Sequence, residues 1–109
     1  MDTMIRDAIK IAIENGKIEW QRHALERMMK RGISREMVKK IFISGEVIEE
    51  YLDDKPFPSA LFLGWNEEEP FHVVASYDSQ TGYCFIITTY RPDIEHFESD
   101  CRTRRPHGK

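Results

Sequence analysis

The chain has 109 residues, of which 40% are hydrophobic and 32% charged, and this balance is typical of one soluble globular domain. Its formal net charge of −3 at pH 7 argues against a protein that binds nucleic acid over its whole surface. No apolar run reaches the ~18 residues that span a bilayer, and the acidic, amphipathic N-terminus does not resemble a secretory signal. We therefore expect a cytoplasmic protein with reduced cysteines and no membrane partner.

The charges are segregated along the chain. Residues 17–40 carry eight basic and three acidic side chains, a local balance of +5. Residues 41–69 carry one basic and eight acidic side chains, a local balance of −7. The basic block is compatible with a small phosphate-binding surface, and the acidic block either attracts a basic partner or maintains solubility.

The first 45 residues predict three helices, each followed by a glycine stop signal. The first ends at Asn15-Gly16, the second covers roughly residues 20–30 and ends at Gly32, and the third begins at the N-cap Ser34 and ends at Gly45. The residues expected to face the core recur at helical spacing. They are Ile5, Ala8, Ile9, Ala12 and Ile13, then Ala24, Leu25, Met28 and Met29, then Met37, Val38, Ile41 and Phe42.

After Gly45 the pattern becomes that of strands. We predict strands at 46–52, 60–65, 71–77 and 83–91, separated by the breaks "DDKPFPS" and "NEEEP" and by a tight turn. Helices followed by strands predict an α+β domain over residues 1–98, with the helices packed on one face of a four-stranded, mainly antiparallel sheet. Residues 99–109 form a basic segment without a core-facing pattern, and we expect a mobile tail.

The turn "DSQTGY" predicts how the last two strands pair. Gly82 suits the left-handed position of a type I turn followed by a bulge, which would pair Ser79 with Tyr83. His72 would then lie directly across from Tyr90, with Thr88 two positions along the same face. The opposite face would carry the core residues Phe71, Val73, Ala75, Tyr77, Phe85, Ile87 and Thr89.

Three side chains at four-residue intervals form a stripe on the second helix: His23, Arg27 and Arg31. They lie outside its apolar side, so one interpretation is an ordinary solvated face. The other is a catalytic wall, because guanidinium groups bind phosphate and an imidazole exchanges protons near neutral pH. RNA cleavage by the ribose 2′-hydroxyl requires such groups.

The remaining candidates also have structural interpretations. His72 and Tyr90 could be satisfied sheet residues, Thr88 has ordinary strand propensity, and Arg91 precedes Pro92 at the exit from the sheet. The four histidines lack metal-ligand spacing, and Cys84 has neither a paired thiol nor a basic neighbour. We therefore expect no metal, no cofactor and no cysteine nucleophile.

Four segments in a fixed order resemble the bacterial domain-of-unknown-function family numbered 4258. They are "HALERMMKRGIS", "SGEVIEEYLDDKPFPSALFLG", "FHVVASYD" and "IITTYRPD", and the resemblance covers about residues 18–102. It implies a RelE-like fold, related to RelE- and BrnT-type toxins that cleave RNA without a metal. It also implies an antitoxin partner, of which a YgiT-type zinc-finger protein is the expected kind. The chain departs from RelE toxins in its net acidity and in having no lysine-rich helix along the sheet.

The leading hypothesis is a toxin-antitoxin-type, metal-independent endoribonuclease that acts by 2′-hydroxyl attack. Carried over from the resemblance, the catalytic residues are His23, Arg27, His72 and Tyr90, with either histidine as the base. The residues that bind the RNA substrate are Arg31, Thr88 and Arg91. The alternative is a non-catalytic binding module whose acidic strand region docks a basic protein, with Arg27 and Arg31 in ion pairs with Glu49, Glu50, Asp53 or Asp54.

Overall fold

The computed structural model describes residues 4–93, which form three helices and five strands. The helices are α1 (Met4–Glu14), α2 (Arg22–Arg31) and α3 (Arg35–Ser44). The strands are β1 (Ile18–Trp20), β2 (Glu46–Tyr51), β3 (Ser59–Asn66), β4 (Glu69–Asp78) and β5 (Tyr83–Tyr90). No helix among these residues is long and apolar enough to cross a membrane. The predicted tail at 99–109 and the end of the predicted domain at residue 98 lie outside the described range.

All five strands form one mixed sheet in the order β1-β5-β4-β3-β2. Strands β2 to β5 pair antiparallel, and β1 pairs parallel to β5. The prediction of an α+β domain is confirmed, but the prediction of four strands is wrong. Three residues are too few for strand alternation to be recognised, and the partner of β1 lies far along the chain. Trp20 therefore ends a strand, and α2 begins only after the extended residue Gln21.

The helices pack on one face of the sheet, as predicted. Most of their predicted inward residues contribute to one buried cluster with residues of β3, β4 and β5. Ala8 and Met29 are the exceptions, and Met29 is 83% exposed, so Ala24 and Met28 form the buried side of α2. At the start of α3 the predicted N-cap is present, because the Ser34 hydroxyl accepts a hydrogen bond from the Met37 amide at 3.1 Å.

The hairpin of β4 and β5 contains a bulge, but at a different place from the predicted one. Gly82 has the expected positive φ of 79°, whereas Tyr83 pairs with Asp78 and not with Ser79. The register shifts by one residue between Val74 and Ala75, which restores the predicted pairing of His72 with Tyr90. One extra residue on a strand exchanges its two faces, so the prediction that Phe85 and Ile87 face the core is wrong. Cys84 and Ile86 fill those core positions instead.

Candidate functional site

The exposed side of α2 brings two of the candidate residues together. Arg27 Nη2 lies 3.4 Å from His23 Nε2, at the long end of the hydrogen-bond range. In the neutral tautomer with its proton on Nδ1, the imidazole accepts this bond from the guanidinium. Both side chains are exposed. Among residues 4–93, Arg27 forms no ion pair with a carboxylate, so its charge is available to an anion from solution.

Arg31, the third member of the stripe, binds the protein itself. Its Nη1 donates a 2.8 Å hydrogen bond to the backbone oxygen of Thr89 on β5. The Thr89 hydroxyl in turn donates to the backbone oxygen of His72 at 2.9 Å. Arg31 therefore connects the end of α2 to the end of the β4–β5 hairpin. The ion pairs that the binding-module hypothesis expected for Arg27 and Arg31 are not present among the described residues.

Arg91 completes this connection from the other side. Its Nη1 donates to the backbone oxygen of Arg31 at 2.7 Å, and its Nε lies 2.5 Å from a carboxylate oxygen of Glu69. Its guanidinium carbon is also 4.9 Å from the ring centroid of Phe71. These contacts account for several of the donors of Arg91. Its structural contribution is thus to hold the C-terminal end of α2 against β4 and β5.

His72 and Tyr90 form a separate pair. They are opposite each other on β4 and β5, and their rings meet edge to face with centroids 5.4 Å apart. His72 is fully buried, whereas Tyr90 is half-buried. On β4, the two neighbours of His72 are Phe71 and Val73, which face the helices. Alternation along the strand therefore places His72 on the opposite face of the sheet.

The described contacts do not bring the helix stripe together with His72, Thr88 and Tyr90 in the expected cleft, since the Arg31 side chain contacts only the backbone of the neighbouring Thr89. Thr88 pairs with Val74, which lies on the same face as His72. This face is opposite the one on which Ala24 and Met28 of α2 are buried. The candidate residues form two groups, and the pair of His23 and Arg27 is the more exposed of the two.

Residues 4–93 contain one cysteine, Cys84, and it is buried. Burial raises the pKa of the Cys84 thiol from 9.0 to about 12, so its nucleophilic thiolate is scarce at neutral pH. Within the described part of the chain, no three His, Cys, Asp or Glu side chains are grouped so that they could hold a metal ion.

Three residues that lie beside the candidate residues or contact them were not singled out in the sequence: Glu69, Phe57 and Gln21. The pairing of His72 with Tyr90 already implied that the start of β4 and the end of β5 are close, so the contact between Glu69 and Arg91 could have been found from opposite charge. Phe57 lies in the break "DDKPFPS", and it stacks on Phe85 of β5. Gln21 lay within the helix predicted at roughly 20–30, whereas in the structure it is the N-cap residue of α2.

Replacing Arg31 by alanine tests its structural contribution. We expect Arg31→Ala to lower the free energy of unfolding by about 1–2 kcal/mol, because the Thr89 carbonyl loses a charged donor. Arg27→Ala is the matched control, and as an exposed substitution it should change that free energy by less than about 0.5 kcal/mol. Urea denaturation measures both. Equal stability of the two variants would contradict the connection between α2 and β5.

The comparisons with known proteins give one match. A family model described as Domain of unknown function (DUF4258) matches residues 20–91, about two thirds of the chain. This span begins at Trp20, the last residue of β1, and ends at Arg91, so it contains both candidate groups and omits α1. No curated protein and no solved structure matches the chain at a significant level. The extent of the family match establishes that the chain belongs to the family Domain of unknown function (DUF4258).

Proposed function

We propose that this protein is a metal-independent endoribonuclease in which His23 and Arg27 act directly on the RNA. The observation that carries the proposal is their pairing: Nε2 and Nη2 are 3.4 Å apart on an exposed helix face, and no described carboxylate neutralises Arg27. A phosphate that binds Arg27 would lie within reach of the imidazole. A cation and a proton acceptor side by side are what cleavage by the 2′-hydroxyl requires.

The proposed reaction begins when a phosphate oxygen of RNA replaces His23 as the partner of Arg27. The lone pair of His23 Nε2 is then free to remove the proton of the adjacent 2′-hydroxyl. The 2′-oxygen forms a bond to phosphorus while the bond from phosphorus to the 5′-oxygen breaks. The 5′-oxygen takes a proton from solvent, and the products are a 2′,3′-cyclic phosphate and a free 5′-hydroxyl. Arg27 stabilises the negative charge on the pentacovalent phosphate.

The other candidate residues have indirect roles in this proposal. Arg31 and Arg91 direct donors to backbone carbonyls, so they fix the position of α2 and do not serve as the main phosphate ligands. His72 is fully buried on the far face, which favours His23 as the proton acceptor. Tyr90 and Thr88 are placed with His72 and contribute to the fold of the hairpin.

The toxin relationship is part of the same proposal. We propose a bacterial, cytoplasmic toxin related to the RelE and BrnT types, held inactive by an antitoxin that is expected to be a YgiT-type zinc-finger protein. The α+β class with helices on one sheet face is compatible with that relationship. A toxin of this kind predicts growth arrest on induction, relieved when the antitoxin is expressed with it.

The decisive experiment is cleavage of a labelled single-stranded RNA by purified protein. We expect products that end in a 2′,3′-cyclic phosphate, at a rate unchanged by EDTA. Arg27→Ala should reduce the rate about 10- to 100-fold, since a charge-assisted hydrogen bond contributes about 1.5–3 kcal/mol. Lys30→Ala is the control, because it removes the same charge from another exposed position of α2.

Two results would contradict the proposal. One is equal cleavage of an oligonucleotide that lacks the 2′-hydroxyl, and the other is an equal rate for Arg27→Ala and Lys30→Ala. A complete absence of cleavage would favour the non-catalytic alternative, a module that docks a basic protein. Its binding surface would be the acidic end of the edge strand β2, where Glu50 and Asp53 are exposed.

A further inference from the structure

A small cavity of about 290 Å³ opens on the sheet face away from the helices, beside the start of α2. Its size is at the low end for ligand pockets, which suits a single planar group better than a large cofactor. The residues that line it are Gln21, Pro56, Phe57, Ser76, Phe85 and Ile87.

The apolar wall of this cavity is aromatic and partly exposed. The rings of Phe57 and Phe85 are stacked almost parallel, with centroids 5.5 Å apart and an interplanar angle of 6°. Phe85 lies on this face because the neighbouring Cys84 and Ile86 occupy the core. Ile87 is 41% exposed beside them. Exposed aromatic surface of this kind is what proteins use to stack unpaired nucleobases.

Two polar side chains complement the aromatic wall. Gln21 is the N-cap residue of α2, but its side chain forms neither a capping hydrogen bond nor any other hydrogen bond within residues 4–93, so among these residues its amide donors and acceptor are available to a ligand. Ser76 contributes a hydroxyl from β4 and is 7% exposed. An amide and a hydroxyl match the mixed donor and acceptor edge of a nucleobase.

The cavity is close to the proposed catalytic pair. Gln21 lines it, and His23 is only two residues further along the chain. Two trans peptide units limit the distance between their α-carbons to about 7.6 Å. A nucleotide bound with its phosphate at Arg27 therefore has an aromatic cavity within reach of its base.

We propose that this cavity is a subsite for one unpaired nucleobase of the RNA that the protein cleaves. The base stacks against Phe57 and Phe85, and Gln21 and Ser76 bind its edge. The inference rests on the proposed function, and it adds that the substrate is single-stranded at the position beside the cleaved phosphate.

Binding to a short, fluorescent 2′-O-methyl RNA tests the subsite without cleavage, because this probe lacks the nucleophile. Anisotropy is measured at two salt concentrations for the wild type, Phe57→Leu, Gln21→Ala and Arg27→Ala. Phe57→Leu keeps an apolar side chain but removes the ring. Gln21 is exposed, so Gln21→Ala leaves the packing of the core unchanged. Trp65→Leu is the control, since it removes a 43% exposed aromatic ring elsewhere.

We expect Phe57→Leu to weaken binding about tenfold at both salt concentrations, as the loss of stacking predicts. Gln21→Ala should weaken it in the same way, and Trp65→Leu should bind as the wild type does. Arg27→Ala should instead reduce the slope of log affinity against log salt by about 0.7, as the loss of one phosphate contact predicts.

Binding of the probe by Phe57→Leu and Gln21→Ala at wild-type affinity would overturn the subsite, as would a wild type that does not bind the probe. The two proposals fail in different ways. RNA cleavage that depends on His23, with unchanged KM in Phe57→Leu and Gln21→Ala, would remove the subsite alone. Probe binding that depends on Phe57, without any cleavage of RNA, would support the subsite and remove the endoribonuclease.

Discussion

Gly64→Ala is expected to destabilise the protein by about 3 kcal/mol or more. A β-carbon at this position of β3 would lie 2.2 Å from the backbone oxygen of Ile41 and 2.6 Å from its Cγ2 atom. Ile41 is a fully buried residue of α3, so the helix can relieve this overlap only by moving off the sheet. Such a movement would open the contact between α3 and β3 around Phe42 and Phe62, whose ring centroids are 4.7 Å apart.

Gly16→Ala is the matched control for this prediction. Gly16 has a positive φ of 75°, and a β-carbon there would meet nothing within 4 Å. Its cost is therefore backbone strain alone, about 1–2 kcal/mol. Urea denaturation of both variants gives the comparison. A Gly64→Ala variant no less stable than Gly16→Ala would show that α3 is not in close contact with β3.

The helices could be predicted from the sequence because their signals are local. Apolar spacing, the N-cap Ser34 and the stop at Gly32 all act within a few residues of the element that they define. The prediction that Met29 faces the core was wrong for a related reason, since apolar spacing alone does not tell how wide the buried side of a helix is. On α2, only Ala24 and Met28 are buried.

The errors in the sheet come from pairings that are distant in sequence. β1 exists because residues 18–20 pair with β5, and no pattern within three residues reveals this. The bulge between Val74 and Ala75 is likewise invisible in either strand alone. It left the pairing of His72 with Tyr90 as predicted, yet it reversed which residues of β5 face the core near the turn.

The candidate site was predicted only in part, for the same reason. A stripe along one helix is a local feature, and the closeness of His23 to Arg27 follows from helix geometry. Whether that stripe meets the hairpin depends on which sheet face each strand residue occupies. Alternation places His72 on the face opposite Phe71, away from the core in which Ala24 and Met28 of α2 are buried.

His23→Ala is expected to lower kcat/KM for RNA cleavage about 100-fold or more, the usual contribution of a general base. The imidazole is exposed and its Nε2 contacts Arg27, so its removal leaves phosphate binding in place while the 2′-hydroxyl loses its proton acceptor.

His23→Gln separates proton transfer from hydrogen bonding. The glutamine amide can still accept a hydrogen bond from Arg27, but it cannot take a proton, so we expect it to be as inactive as His23→Ala. Both variants change an exposed residue and should keep the stability of the wild type to within about 0.5 kcal/mol. Substantial activity in His23→Gln would assign proton transfer to another group. Inactivity in both variants with unchanged binding of 2′-O-methyl RNA would instead locate the lost step in the chemistry, because this probe measures the affinity of the same surface without cleavage.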